Sequence, residues 1–143
     1  MLKGWIFAKR ASWTGRWLPL LLAMGVIFFA SHQPAADLPN FGLWDLAFKK
    51  TGHFLGYAGL ALLALRAVVD KQRPYLTAFL IVLLYSISDE FHQTFIPGRN
   101  GTPVDVFIDM CGAIACLWLC YWRLPGKEMK PQSAAGLENF LGS

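Results

Sequence analysis

A dense cluster of polar side chains interrupts an otherwise apolar chain between residues 88 and 109. The segment SDEFHQTFIPGRNGTPVDVFID contains four carboxylates, a histidine, a glutamine and an arginine: Asp89, Glu90, His92, Gln93, Arg99, Asp105 and Asp109. Apolar segments at roughly 75–87 and 110–122 flank it. Because polar groups are costly to keep beside hydrocarbon, such a cluster is a candidate functional site by default.

Three polar residues of an earlier apolar segment, at about residues 50–69, are predicted to join this cluster. At 100° per residue, Lys50, His53 and Tyr57 fall on one side of a helix, near its beginning. The candidate ligand-binding residues are therefore Lys50, His53, Tyr57, Gln93 and Arg99. The candidates for acid–base catalysis are His53, Asp89, Glu90 and His92.

Three kinds of chemistry fit these residue types. Carboxylates with an imidazole suit a divalent cation, which would polarise a phosphoryl group of a lipid substrate. The candidate cation ligands are Asp89, His92, Asp105 and Asp109. Alternatively, Lys50, His53 and Arg99 bind a phosphate or pyrophosphate directly. In the third interpretation, pairs such as Asp89–Arg99 and Asp105–Lys50 only tie helix ends together.

Composition indicates an integral membrane protein. Of 143 residues, 55% are hydrophobic and 15% are charged, whereas a soluble domain has about a quarter charged residues. The apolar runs approach the ~20 residues that span a bilayer core. Although the net charge is +4, the basic residues lie beside apolar segments, where they set topology. Nucleic acid is therefore not expected as a partner.

The pattern predicts an all-α membrane protein with four transmembrane helices. They cover about residues 17–31 (extended towards 13), 50–69, 74–95 and 104–122, and a cleaved signal peptide is the alternative for the first. Residues 1–16 form a basic arm, 17–123 the membrane domain and 124–143 a disordered tail. Gly52, Gly56 and Gly59 are expected to allow close helix contact, as is the small-residue face that includes Gly112.

Helical spacing predicts which polar residues of the last two helices share a face. On the third helix Tyr85, Ser88, Asp89, His92 and Gln93 lie together. Glu90 points elsewhere on the same helix. On the fourth helix Asp105 and Asp109 are four residues apart and stack on one face.

Charge distribution predicts the orientation. Nine of the thirteen Lys and Arg residues lie in the N-terminal arm, the connector at 70–73 and the tail, and three lie on the other side. By the positive-inside tendency both termini are cytoplasmic (N-in, C-in), and the polar site faces outward.

Three separated motifs resemble the VanZ-like family, named for the teicoplanin-resistance protein. They are KTGHFLGY at 50–57, SDEFHQTFIPGR at 88–99 and DVFIDMCGA at 105–113. The resemblance covers about residues 45–122. It implies a small helical protein of bacterial membranes, with a connection to glycopeptide antibiotic resistance and no stated mechanism. Asp109 is a departure, because relatives often have Asn there, which weakens a cation site that needs both acids.

These observations predict a VanZ-like cell-envelope protein of the bacterial inner (cytoplasmic) membrane. It would bind or modify an anionic, phosphate-bearing lipid or lipid-linked cell-wall intermediate at the outer face, with a divalent cation as one candidate cofactor. The alternative is a non-catalytic assembly or partner-binding protein, in which the polar residues are structural ties. A homo-oligomer is compatible with either hypothesis.

Overall fold

The computed structural model describes residues 12–37 and 42–123. The protein is 82% helix, and the described residues contain no strand. Most of the basic arm predicted at 1–16 lies outside the described residues, and so does the whole tail at 124–143.

Four long helices make up the described part of the chain. They are α1 (Trp13–Ser31), α2 (Asp45–Ala67), α3 (Pro74–Gln93) and α4 (Pro103–Arg123). Two short 3₁₀ turns, Ala35–Asp37 and Gly42–Trp44, lie between α1 and α2. The helices alternate in direction. As a result, the ends of α1 and α3 and the beginnings of α2 and α4 meet at one end of the bundle, here called the polar end.

Local sequence explains where these helices begin. The Ser12 side chain caps α1 by accepting a hydrogen bond from the Gly15 N–H. Pro74 and Pro103 occupy first-turn positions, where the missing N–H costs nothing. α2 begins at Asp45, five residues earlier than predicted. Its first turn is supported by the Asp45–Lys49 ion pair at i,i+4 spacing.

α2 is the central helix of the bundle. It packs against α4 along its length and also contacts α1 and α3. Its buried side chains Tyr57, Leu60 and Leu65 form the core with Val82 of α3. At the opposite end from the polar end, Arg16 of α1 forms an ion pair with Asp70 in the α2–α3 connection.

Three of the four helices, α1, α3 and α4, are long and apolar enough to cross a membrane. α2 has 23 residues and is the least apolar, since it carries Asp45, Lys49, Lys50 and Arg66. The described chain is thus an all-helical protein with three candidate spans, where the sequence predicted four.

Candidate functional site

A buried carboxylate on α4 holds a histidine of α2 at the polar end. Asp109 is fully buried, and its Oδ1 lies 3.0 Å from Nδ1 of His53. Its Oδ2 accepts a 2.7 Å hydrogen bond from the Ser86 hydroxyl. When Asp109 is ionised, Nδ1 of His53 carries a proton and Nε2 is left as an acceptor. The arrangement is a carboxylate–imidazole pair with a fixed ring orientation.

Gly112 permits this contact because it brings α2 and α4 close together. A Cβ at Gly112 would overlap the backbone of Phe54, the residue after His53: it would meet the Phe54 carbonyl oxygen and lie 2.9 Å from the carbonyl carbon. The small-residue face predicted on the fourth helix is therefore used at Gly112. By contrast, a Cβ at Gly52, Gly56 or Gly59 meets nothing within 4 Å, so the prediction that these three allow close helix contact is wrong among the described residues.

Glu90 also belongs to this cluster, which corrects the prediction that it points elsewhere. It is buried, and its Oε1 lies 3.9 Å from Nδ1 of His53. Its Oε2 accepts from the Thr102 N–H at 3.0 Å, and Gln93 donates to Oε1 at 2.9 Å. The buried face of α3 combines Ser86, Asp89, Glu90 and Gln93, which is i, i+3, i+4, i+7 spacing. Ser88 is exposed instead.

Asp89 lies in a second, adjoining hydrogen-bond network. Its Oδ2 accepts from Ser31 at 2.8 Å, Tyr57 at 3.1 Å and Gln93 at 3.3 Å. Its buried Oδ1 has no hydrogen-bond partner among the described residues. Since Gln93 also contacts Glu90, the two networks form one buried polar layer across all four helices.

Arg99 does not pair with Asp89, so that predicted ion pair is wrong. Its Nε donates to the Gln33 carbonyl at 3.1 Å, and its Nη2 donates to the Ala30 carbonyl at 2.9 Å. These carbonyls lie at the end of α1, where a cation is favourable. Within the described residues, the Arg99 guanidinium has no carboxylate within ion-pair distance.

The two lysines of α2 are already neutralised. Lys50 forms an ion pair with Asp105, which confirms the predicted tie. The Thr102 hydroxyl also donates to Oδ2 of Asp105 at 2.8 Å. Lys49 pairs with Asp45 at 2.6 Å. Among the described Lys and Arg side chains of this end, Arg99 is therefore the one whose charge is not paired with a carboxylate.

His92 lies apart from the buried polar layer. Its Nε2 is 3.1 Å from Nδ1 of His32, and its ring stacks on Phe28 with centroids 4.7 Å apart. This contact joins the end of α3 to the end of α1.

One group of side chains in the described residues has the geometry to hold a metal ion. Ligand atoms of His53, Glu90 and Asp109 all lie within 4.8 Å of one another. Two ligands at about 2.1 Å from one ion are at most about 4.2 Å apart. The His53–Asp109 and His53–Glu90 separations of 3.0 and 3.9 Å lie within that limit, and the Glu90–Asp109 separation is within 4.8 Å. Of the set named from sequence, this group contains Asp109 but not Asp89, His92 or Asp105.

Two clefts meet at His53. The polar cleft, about 280 Å³, opens at the polar end beside Lys50, Gln93, Asn100 and Asp105. The α1–α2 groove, about 310 Å³, runs between Ile27, Ala30 and Ser31 of α1 and Gly52, Gly56 and Tyr57 of α2. Both clefts are also lined by Lys49, His53 and Arg99.

Several residues of the site escaped sequence interpretation. Ser86 could have been found from the spacing of the buried α3 face. Thr102 could have been found as the cap of a helix that begins with Thr-Pro. Ser31 and His32 follow the first apolar run, and nothing in their spacing links them to α3.

Residues 16–124 match the VanZ/LLP1 family. The match covers most of the chain, which therefore belongs to the VanZ-like family. The membership and the apolar helices together define a VanZ-like, multi-pass membrane protein. Comparison with curated proteins and with solved structures gives no match.

Proposed function

We propose that the chain crosses the bacterial inner membrane four times, with both termini cytoplasmic and the polar end outward. The alternating helix directions support this topology. If α1 and α3 cross the membrane in the same direction, the chain must return between them, and α2 lies between them and has the length of a span. At 1.5 Å per residue its 23 residues reach about 34 Å, against a hydrocarbon core of about 30 Å. The positive-inside distribution supports the orientation.

We further propose that the polar end binds an anionic, phosphate-bearing lipid or lipid-linked cell-wall intermediate. The observation that carries this proposal is the charge of Arg99, which faces both clefts and lacks a carboxylate partner among the described residues. A guanidinium in a partly desolvated cleft is well suited to a phosphate. Lys50 and Gln93 line the polar cleft and Tyr57 lines the groove, so they belong to the proposed site, although each is already paired with a carboxylate.

His53 gives this site a group that transfers protons. Asp109 fixes the ring through Nδ1, so that the acceptor Nε2 is the free nitrogen, and the ring lines both clefts beside Arg99. A buried carboxylate that orients an imidazole also stabilises the imidazolium formed when Nε2 takes a proton. Modification of the bound headgroup would use His53 as the base, with Glu90 at its side. Susceptibility to glycopeptide antibiotics would change if these antibiotics act through that lipid.

Lipid binding by purified protein tests the proposal. Native mass spectrometry in detergent would compare phosphatidic acid with phosphatidylcholine. We expect preference for phosphatidic acid, with loss of the preference in Arg99→Gln and part of it retained in Arg99→Lys, which keeps the charge. Arg16→Gln, at the opposite end, is the control and should bind as the wild type does. Equal binding of both lipids by the wild type contradicts the proposal.

A structural role for the polar residues is the second candidate function, because Lys50–Asp105 joins α2 to α4 and Arg99 joins the α3–α4 turn to the end of α1. In that case the protein is a non-catalytic assembly or partner-binding protein. His53→Gln and His92→Gln distinguish the two hypotheses in a cellular assay of antibiotic susceptibility. Loss confined to His53→Gln, at wild-type abundance, supports acid–base chemistry. Full activity of His53→Gln supports structural ties.

As an alternative to proton transfer by His53, we propose a divalent cation at His53, Glu90 and Asp109, which would take the place of the proton on Nδ1 of His53. It would polarise the phosphate and bind water at the polar cleft. Elemental analysis of detergent-purified protein tests it, with Glu90→Gln and Asp105→Asn as a pair. We expect stoichiometric metal to disappear in Glu90→Gln and to persist in Asp105→Asn. A chain that takes up no metal on titration would exclude the cation from the proposed chemistry.

A further inference from the structure

The α1–α2 groove contains open space at two glycines that sequence analysis assigned to helix packing. Gly52 and Gly56 are exposed, and a Cβ at either would have no neighbour within 4 Å. Their missing side chains leave a groove along α2, with Ile27 and Ala30 of α1 on the other wall. In a membrane-spanning bundle the medium beside such a groove is hydrocarbon, so the groove is accessible from the side to lipid chains.

The groove and the polar cleft share three lining residues. Lys49, His53 and Arg99 line both, so one end of the groove is polar and carries the charge of Arg99, while the part towards Ile27 and Gly56 is apolar. A ligand that fills the two spaces must be apolar at one end and anionic where they meet. The Arg99 guanidinium, which has no carboxylate partner among the described side chains, supplies the complementary charge at that junction.

We propose that the α1–α2 groove binds one hydrocarbon chain of the anionic lipid, with its phosphate at Arg99 and His53 and its polar substituent in the polar cleft. This inference rests on the proposed function and specifies its substrate class: an amphiphile whose phosphate lies at the head of a single bound chain. His53 then lies at the linkage between chain and head, where proton transfer would act.

The test compares ligands that share a headgroup and differ in the chain. Binding of lysophosphatidic acid would be measured by native mass spectrometry. Binding of glycerol 3-phosphate would be measured by phosphorus NMR titration. Gly56→Leu places a side chain in the groove at a position where a Cβ has no neighbour within 4 Å. Gly25→Leu is the matched control, because Gly25 is equally open and does not line the groove.

We expect Gly56→Leu to weaken lysophosphatidic acid binding by about tenfold, the equivalent of about two lost methylene contacts. Its affinity for glycerol 3-phosphate should be unchanged, and Gly25→Leu should match the wild type with both probes. Equal lysophosphatidic acid binding by the two leucine variants overturns the groove assignment and leaves headgroup binding intact. If the wild type binds neither probe, the proposed function itself fails. If Gly56→Leu alters only the oligomeric state, the groove is an interface between protein chains and the inference is wrong.

Discussion

Gly112 offers the most direct test of how the site is held together. A methyl group there would overlap the Phe54 backbone, lying 2.9 Å from its carbonyl carbon and 3.1 Å from its Cα. Backbone cannot rotate away as a side chain can, so α2 must move relative to α4. Gly112→Ala should therefore destabilise the bundle, and it should displace His53, the neighbour of Phe54, from Asp109.

The size of this loss in stability follows from comparison of Gly112→Ala with Gly59→Ala. Replacing a helical glycine by alanine stabilises a helix by roughly 0.5–1 kcal/mol. Gly59 has open space around it, so its variant should show this gain alone. Overpacking typically costs about 1–3 kcal/mol. Because helix propensity is common to both variants, the difference between their free energies of unfolding isolates the overlap, and we expect about 1–3 kcal/mol.

Denaturant unfolding in a fixed detergent micelle, followed by tryptophan fluorescence, would measure this difference. Phosphatidic acid binding by the same samples would report the position of His53 and its neighbours. Equal stability of Gly112→Ala and Gly59→Ala would refute the close α2–α4 approach. Reduced stability with unchanged lipid preference would refute the coupling between that approach and the site.

Three further predictions concern the polar end. Ser86→Ala should destabilise the protein by about 1–3 kcal/mol, because it leaves Oδ2 of buried Asp109 without its donor. Ser88→Ala removes an exposed hydroxyl that is bonded within its own helix, so it should change stability far less in the same unfolding assay. Lys50→Met should destabilise the protein more than Lys49→Met. Lys50 joins α2 to α4, whereas Lys49 makes an i,i+4 pair in its own helix, worth about 0.5 kcal/mol. Similar unfolding midpoints of the two variants would contradict this. An impermeant thiol reagent should label Asn100→Cys on intact cells and Lys71→Cys only after lysis, and the reverse pattern would contradict the orientation.

Sequence periodicity predicted the helices well because each is a long apolar run with a clear start. α3 and α4 lie within two residues of the predicted ends, and α1 begins at Trp13, in agreement with the predicted extension towards that residue. The start of α2 was less predictable. Its first turn, with Asp45 and Lys49, is polar enough to resemble the preceding loop, and the internal ion pair that supports it is a helical property.

The site was less predictable than the fold, for a geometric reason. Spacing within one helix cannot show which face meets which neighbour. Glu90 was placed apart from Asp89, although α3 is buried over a face wide enough to contain both. Arg99 was given Asp89 as a partner on charge alone, whereas the turn before α4 carries it to the end of α1. Lys50–Asp105 was predictable because both residues lie near the beginnings of helices that meet at the same end.

The low hydrophobicity of α2 is a consequence of its position in the bundle. A helix at the edge must present apolar side chains to lipid over most of its surface, and α1 does so with Leu22, Val26 and Phe29 exposed. α2 has α1, α3 and α4 around it, so its polar side chains face protein groups that satisfy them, as His53 does with Asp109 and Tyr57 with Asp89. A central helix can therefore carry the site because the other three helices cover its polar side chains. Among the described residues, the α1–α2 groove is a place where this cover is open beside His53, and under the proposal above a lipid would reach His53 there.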